Sequence, residues 1–140
     1  MTEIAREFPA QTPIVAIVDD DPAIRAALAR LTRALGYAPA PFAGAEPLLR
    51  AGPFSPEADG STIAVVITDV QMPGLSGLDL LRILHTRHPA LPVIVMTAYP
   101  SEANRARALA SGAFAYLAKP FDAEQFEGCL RSVLGGAPMS

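Results

Sequence analysis

Ile63-Ala64-Val65-Val66-Ile67-Thr68-Asp69-Val70-Gln71-Met72-Pro73-Gly74-Leu75-Ser76-Gly77-Leu78-Asp79 decides the fold. Its first five residues are an unbroken apolar, mostly β-branched run, the pattern of a strand buried on both faces of a parallel sheet. The run ends in a lone carboxylate, Asp69, which therefore emerges at the C-terminal end of the strand. In open α/β sheets that edge is where ligands bind. Pro73 and Gly74 punctuate the following loop. Ser76, with Asp79 three residues on, then reads as a capping box that opens a helix.

The same strand, loop and helix rhythm recurs on either side. Ile14-Val15-Ala16-Ile17-Val18 is a buried strand running into Asp19-Asp20-Asp21, and Asp21 before Pro22 reads as an N-cap with proline at the first helical position. Ile24, Leu28, Leu31 and Leu35 recur at helical spacing up to Gly36. Tyr37 to Phe42 is a weak strand, and Pro39 and Pro41 confine it to a sheet edge. A short helix over Ala45 to Arg50 precedes a loop rich in Gly, Pro and Ser, Ala51 to Thr62. Beyond Asp69 the pattern predicts a helix from Gly77 to His88 and a strand from Val93 to Met96 that ends at Thr97. A helix capped by Ser101 then runs to Ser111. A strand from Phe114 to Ala118 leads into Lys119-Pro120, and a last helix starts at Asp122. Its apolar face is Phe126, Cys129, Leu130, Val133 and Leu134.

Five strands alternating with five helices imply a flavodoxin-like (βα)5 three-layer sandwich around a parallel sheet of order 2-1-3-4-5. That order puts the proline-bearing strand at an edge. It also gathers Asp19, Asp20, Asp69, Thr97 and Lys119 at one end of the sheet. The expected organisation is an arm over 1–12, one domain over 13–135 and a tail over 136–140.

Composition narrows the function classes. The 140 residues carry 11 basic and 14 acidic side chains, a net charge of −3, with no basic cluster of the kind nucleic acid requires. No apolar run is long enough for a membrane span, and the N-terminal residues lack the apolar region of a secretory signal. The lone Cys129 cannot form an internal disulfide, which fits a reducing cytoplasm. No Gly-rich phosphate loop follows the first strand, so a P-loop NTPase is excluded.

The gathered side chains have a chemistry of their own. Three carboxylates held together need a cation, and an oxygen-only donor set without His or Cys selects a hard divalent ion such as Mg²⁺. Lys119 supplies a charge and Thr97 a hydroxyl suited to the oxygens of a phosphoryl group. Asp69 would be the nucleophile and form an acyl phosphate. The bland readings are a cap for Asp21, a solvated helix end for His85 and His88, a buried inert thiol for Cys129 and simple core packing for Tyr116.

Val18-Asp19-Asp20-Asp21, Thr68-Asp69-Val70-Gln71-Met72-Pro73-Gly74, Met96-Thr97-Ala98 and Lys119-Pro120-Phe121 together resemble the receiver domain of two-component response regulators, over Ile14 to Leu134. Around Pro120 the chain is similar to receivers of the NarL and FixJ kind. The resemblance implies a phosphorylation-controlled signalling module that is not a conventional enzyme, with Asp69 as phosphoacceptor. It implies Asp20 and Asp69 as direct Mg²⁺ ligands, completed by the backbone carbonyl of Gln71, with Asp19 acting through water. Thr97 and Tyr116 would form the switch pair. A histidine kinase or histidine phosphotransfer protein would donate the phosphoryl group. A downstream effector, or a second copy, would bind the face of helix four, strand five and helix five.

Three side chains flank the phosphoryl position. Ala98 leaves room for entry, the Gln71 amide can orient an attacking water, and Tyr99 can shield the in-line path. The Lys119-Pro120 step, which must turn back toward the acids, predicts a cis peptide bond. Two alternatives stay open: the receiver half of a truncated DNA-binding transcription regulator, and an Asp-nucleophile phosphohydrolase. The second expects an Asp where Gln71 stands. A receiver that only mediates assembly would require a lost site residue, and none is lost.

Overall fold

The computed structural model describes residues 12–51 and 63–134. The expected arm, apart from residue 12, most of the 51–62 loop and the C-terminal tail lie outside these residues. Strands β1 (Ile14–Val18), β2 (Ala38–Phe42), β3 (Ile63–Asp69), β4 (Val93–Thr97) and β5 (Ala115–Ala118) form one parallel sheet of order β2-β1-β3-β4-β5. Helices α1 (Pro22–Ala34), α2 (Ala45–Ala51), α3 (Gly77–Arg87), α4 (Glu102–Ala110) and α5 (Ala123–Val133) alternate with the strands.

Strand side chains alternate between the two faces and so build two cores. Ile14, Ala16, Val18, Val66, Val93 and Val95 pack with Leu48 of α2, with Leu80, Leu81 and Leu84 of α3 and with Ala108 of α4. Val15, Ile17, Val65, Ile67, Ile94 and Met96 face the other way, against Leu28 of α1 and Phe126 and Leu130 of α5. In β3 the alternation slips once. The register jumps between Ile14 and Val15, which pair with Ile63 and Val65, leaving Ala64 as an extra residue.

The expected signals hold at most element ends. Asp21 caps α1 with Pro22 at its start, Ser76 and Asp79 form a capping box on α3, and Asp122 and Gln125 form another on α5. The Lys119-Pro120 bond is cis. Strand β2 begins at Ala38 rather than Tyr37, because the Tyr37 amide is spent on closing α1: it donates to the Thr32 carbonyl at 3.1 Å while Gly36 turns the chain at φ 94°. The Tyr37 ring is buried in the α1–α5 layer. Strand β5 begins one residue late, at Ala115, and Phe114 is half-exposed. Helix α3 ends at Arg87 with His88 as its C-cap, and α4 covers Glu102–Ala110 with Ser111 as its cap. His85 is exposed as expected, yet its ring fills the space that a side chain at Gly112 would need.

Candidate functional site at the C-terminal edge of the sheet

Each candidate side chain is delivered by a strand end. Asp19 follows β1, and its backbone is fixed on both sides: its amide donates to the Phe42 carbonyl at 3.1 Å, and its carbonyl accepts from Arg25 Nη1 at 2.7 Å. Its Oδ1 accepts from the Asp21 amide at 2.9 Å, and Asp20 between them is exposed. Asp69 is the last residue of β3 and is 6 % exposed. The Val70 amide just beyond it donates to the Met96 carbonyl at 2.9 Å, so the β3–β4 pairing continues past the acid.

Gly77 holds Asp69 from behind. Its amide donates to the Val70 carbonyl at 2.9 Å, and a Cβ at this position would lie 2.8 Å from the Asp69 carbonyl carbon and 2.9 Å from Val70 Cα. Only glycine allows helix α3 to start this close to the backbone that presents the acid.

The three carboxylates offer oxygens that all lie within 4.8 Å of one another. Lys119 Nζ reaches in from the end of β5, 3.0 Å from Asp19 Oδ2 and 3.1 Å from Asp69 Oδ1. Asp69 Oδ1 is buried and accepts no well-formed hydrogen bond, and the Lys119 ammonium charge beside it compensates it. Burial pushes the Asp69 carboxyl above the usual carboxylate range, with Lys119 pulling against it. Burial alone would lower the Lys119 ammonium. The hydrogen bond that Lys119 donates to Asp19 and the charge of Asp69 outweigh that effect and raise it. An oxygen-only cluster with an orphaned buried carboxylate oxygen fits a hard divalent cation, and the donor set Asp19, Asp20 and Asp69 can hold one.

Thr97 ends β4 and is 1 % exposed. Its hydroxyl donates to Gln71 Oε1 at 3.1 Å and accepts from the Tyr99 amide at 3.0 Å, while its carbonyl accepts from the Lys119 amide at 2.7 Å. Ala98 is exposed and Tyr99 is 72 % exposed. Tyr116 pairs with Val95 in the β4–β5 ladder, so it lies diagonally from Thr97 on the same sheet face. It is half-buried against the α2–α4 layer, and its hydroxyl accepts from the Ser101 amide at 3.4 Å. An open groove of about 550 Å³, lined by Asp20, Val70, Gln71, Met72, Pro73 and Ser76, borders the acids.

All five strand-end residues expected to converge do so. Three contributions escape a reading of the sequence: the Arg25 contact, the Gln71–Thr97 bond and the close packing of Gly77. Only Gly77 left a signal, a glycine directly after a helix cap.

A doubly wound parallel sheet that presents three carboxylates, a lysine and a threonine at its C-terminal edge defines a class of phosphorylation-controlled signalling domains. Residues 15–131 match the response regulator receiver domain, and the chain belongs to that family. The family is that of two-component systems, and phosphorylation on an aspartate is general within it.

Among curated relatives, the chain is 40 % identical over 116 residues to the DNA-binding transcriptional regulator NtrC of Escherichia coli, covering 82 % of this chain and 23 % of that one. It is 38 % identical over 121 residues to the transcriptional regulatory protein FixJ of Azorhizobium caulinodans, covering 86 % and 54 %. The chain thus spans about a quarter to a half of these relatives. Of solved structures, a response regulator receiver domain protein from Clostridium thermocellum superposes with a TM-score of 0.79 at 28 % identity, covering 91 % of this chain and 98 % of that one. The beryllofluoride-activated NtrC4 receiver domain dimer gives 0.73 at 27 %, covering 86 % and 94 %.

Proposed function

We propose that this chain accepts a phosphoryl group on Asp69 from a histidine kinase or histidine phosphotransfer protein, and passes the signal through the face of α4, β5 and α5. The observation that carries this reading is Lys119 bridging Asp19 and Asp69 beside a buried Thr97 hydroxyl. An Asp69 oxygen attacks the phosphorus in line. The P–N bond to the donor imidazole breaks as the O–P bond forms, and the leaving nitrogen takes a proton from solvent. Lys119 receives the charge that develops on the phosphoryl oxygens. Mg²⁺, held by Asp20, Asp69 and the Gln71 carbonyl with Asp19 acting through water, would neutralise the carboxylates and share that charge.

Thr97 then turns to the phosphoryl group, and Tyr116 follows into the space released. Gln71 orients a hydrolytic water, Tyr99 shields the in-line path, and the small Ala98 keeps entry open. The domain comprises residues 13–135, flanked by an arm and a tail, and acts in the cytoplasm without binding nucleic acid or membrane itself. No helix among the described residues is long and apolar enough to cross a membrane. A downstream effector protein or a second copy binds the switched face. A beryllofluoride-activated dimer among the similar structures supports the second copy.

A second reading makes this chain the receiver portion of a longer DNA-binding regulator. The partial coverage of NtrC and FixJ favours it.

The test is incubation with Mg²⁺ and acetyl phosphate followed by intact mass measurement. One phosphoryl group is expected on the parent and none on Asp69→Asn. Equal labelling of the two would overturn the assignment.

A further inference from the structure

The Thr97 hydroxyl has one proton to give, and in this structure it gives it to Gln71. The donor is 1 % exposed, and the acceptor is the side-chain oxygen of a loop residue 26 positions earlier, at 3.1 Å. The hydroxyl oxygen also accepts from the Tyr99 amide at 3.0 Å. A threonine hydroxyl with its single proton committed cannot at the same time donate to a phosphoryl oxygen. Thr97 is also β-branched, so its side chain moves between a few discrete rotamers rather than drifting.

We propose that Gln71 is a latch: its amide oxygen holds the Thr97 hydroxyl away from the phosphoryl position, and this bond must break before Thr97 can switch. The second half rests on Asp69 being the phosphoacceptor, whereas the first concerns the resting protein alone. Gln71 is suited to the part because it is exposed. Its amide returns to water when released, so the latch opposes switching by little more than one neutral hydrogen bond. The charge-assisted bond that Thr97 gains at a phosphoryl oxygen outweighs it. The residue two positions beyond Asp69 thus sets how readily the domain switches, in addition to any effect on hydrolysis.

Two variants separate the acceptor from its bulk. Gln71→Met keeps much of the volume and loses the oxygen; Gln71→Ala loses both. Methyl NMR of Thr97, without any phosphoryl analogue, should show one dominant rotamer in the parent and rotamer averaging in both variants. Titration with beryllium and fluoride in the presence of Mg²⁺ should then show tighter binding by both variants, about fivefold for the loss of one neutral hydrogen bond. An unchanged Thr97 rotamer in the variants would overturn the latch, as would equal or weaker beryllofluoride binding. A parent that takes up no beryllofluoride would overturn the phosphoacceptor reading instead, and the rotamer measurement would still decide the latch.

Discussion

Asp69 is buried with one of its oxygens lacking a hydrogen bond, and burial raises its pKa above the ordinary carboxylate value of 3.8. The sign of the consequence follows from linkage. A folded-state value above the unfolded one favours the protonated fold, so this group's contribution is present at low pH and is lost as pH rises through the raised value. At neutral pH the ionised Asp69 therefore strains the metal-free fold. Asp69→Asn should melt at a higher temperature than the parent at neutral pH in the absence of divalent ions, and the gain should fade on acidification through the carboxylate range. A variant less stable than the parent at neutral pH would contradict this. Gly77 is the second residue on which the site depends. Gly77→Ala forces a methyl group against the Asp69 backbone, and overpacking of this kind costs roughly 1–3 kcal/mol. Denaturant unfolding should show that loss, together with weaker phosphoryl uptake, because the peptide carrying Asp69 must shift. Neither contribution of Gly77 was legible in the sequence, which shows a glycine after a cap but not what it approaches.

Helix starts are the elements that position the site, and these were legible. Capping is local chemistry: Ser76 Oγ accepts from the Asp79 amide at 3.1 Å and Asp79 Oδ2 accepts from the Ser76 amide at 3.1 Å, a reciprocal pair that residue identity alone predicts. The backbone hydrogen bond from Ser76 is the main reason the Asp79 carboxyl lies below its usual range, so its support for the helix is present above the ordinary carboxylate value and is lost as pH falls through the lowered one. Ser76→Ala should cost about 1 kcal/mol in thermal or denaturant unfolding, the usual worth of an N-cap. An unchanged unfolding midpoint would show that the cap is redundant. The edge placement of β2 was legible for the same reason, since Pro39 and Pro41 have no amide to give. Starts of strands were read less well. The Tyr37 amide closes α1 instead of entering β2, and that choice depends on the geometry of the helix exit rather than on a pattern of apolar residues.

At the scale of the whole molecule, the strand order alone brings Asp19, Asp20, Asp69, Thr97 and Lys119 together, and that order follows from strand count, crossover handedness and one proline-bearing edge. This explains why the acidic cluster could be foreseen while the Gln71–Thr97 and Arg25–Asp19 bonds could not: topology fixes backbone ends, whereas long side chains choose among several reachable partners. The same arrangement links the site to a distant surface. Thr97 and Tyr116 share one face of adjoining strands, and the Tyr116 hydroxyl touches the start of α4 at the Ser101 amide. Beryllofluoride with Mg²⁺ should therefore move amide resonances of Ser101, Glu102 and Tyr116 as well as those around Asp69. Changes confined to the acid cluster would argue against the switch.

The central claim, that Asp69 carries the phosphoryl group, is tested most directly by locating the modification. After treatment with Mg²⁺ and acetyl phosphate, borohydride reduces an aspartyl phosphate to homoserine, and peptide mass spectrometry then reads its position. The account predicts homoserine at position 69, dependent on Mg²⁺ and absent without the phosphodonor. Homoserine at position 19 or 20, or a phosphoryl group stable to borohydride on a hydroxyl side chain, would contradict it.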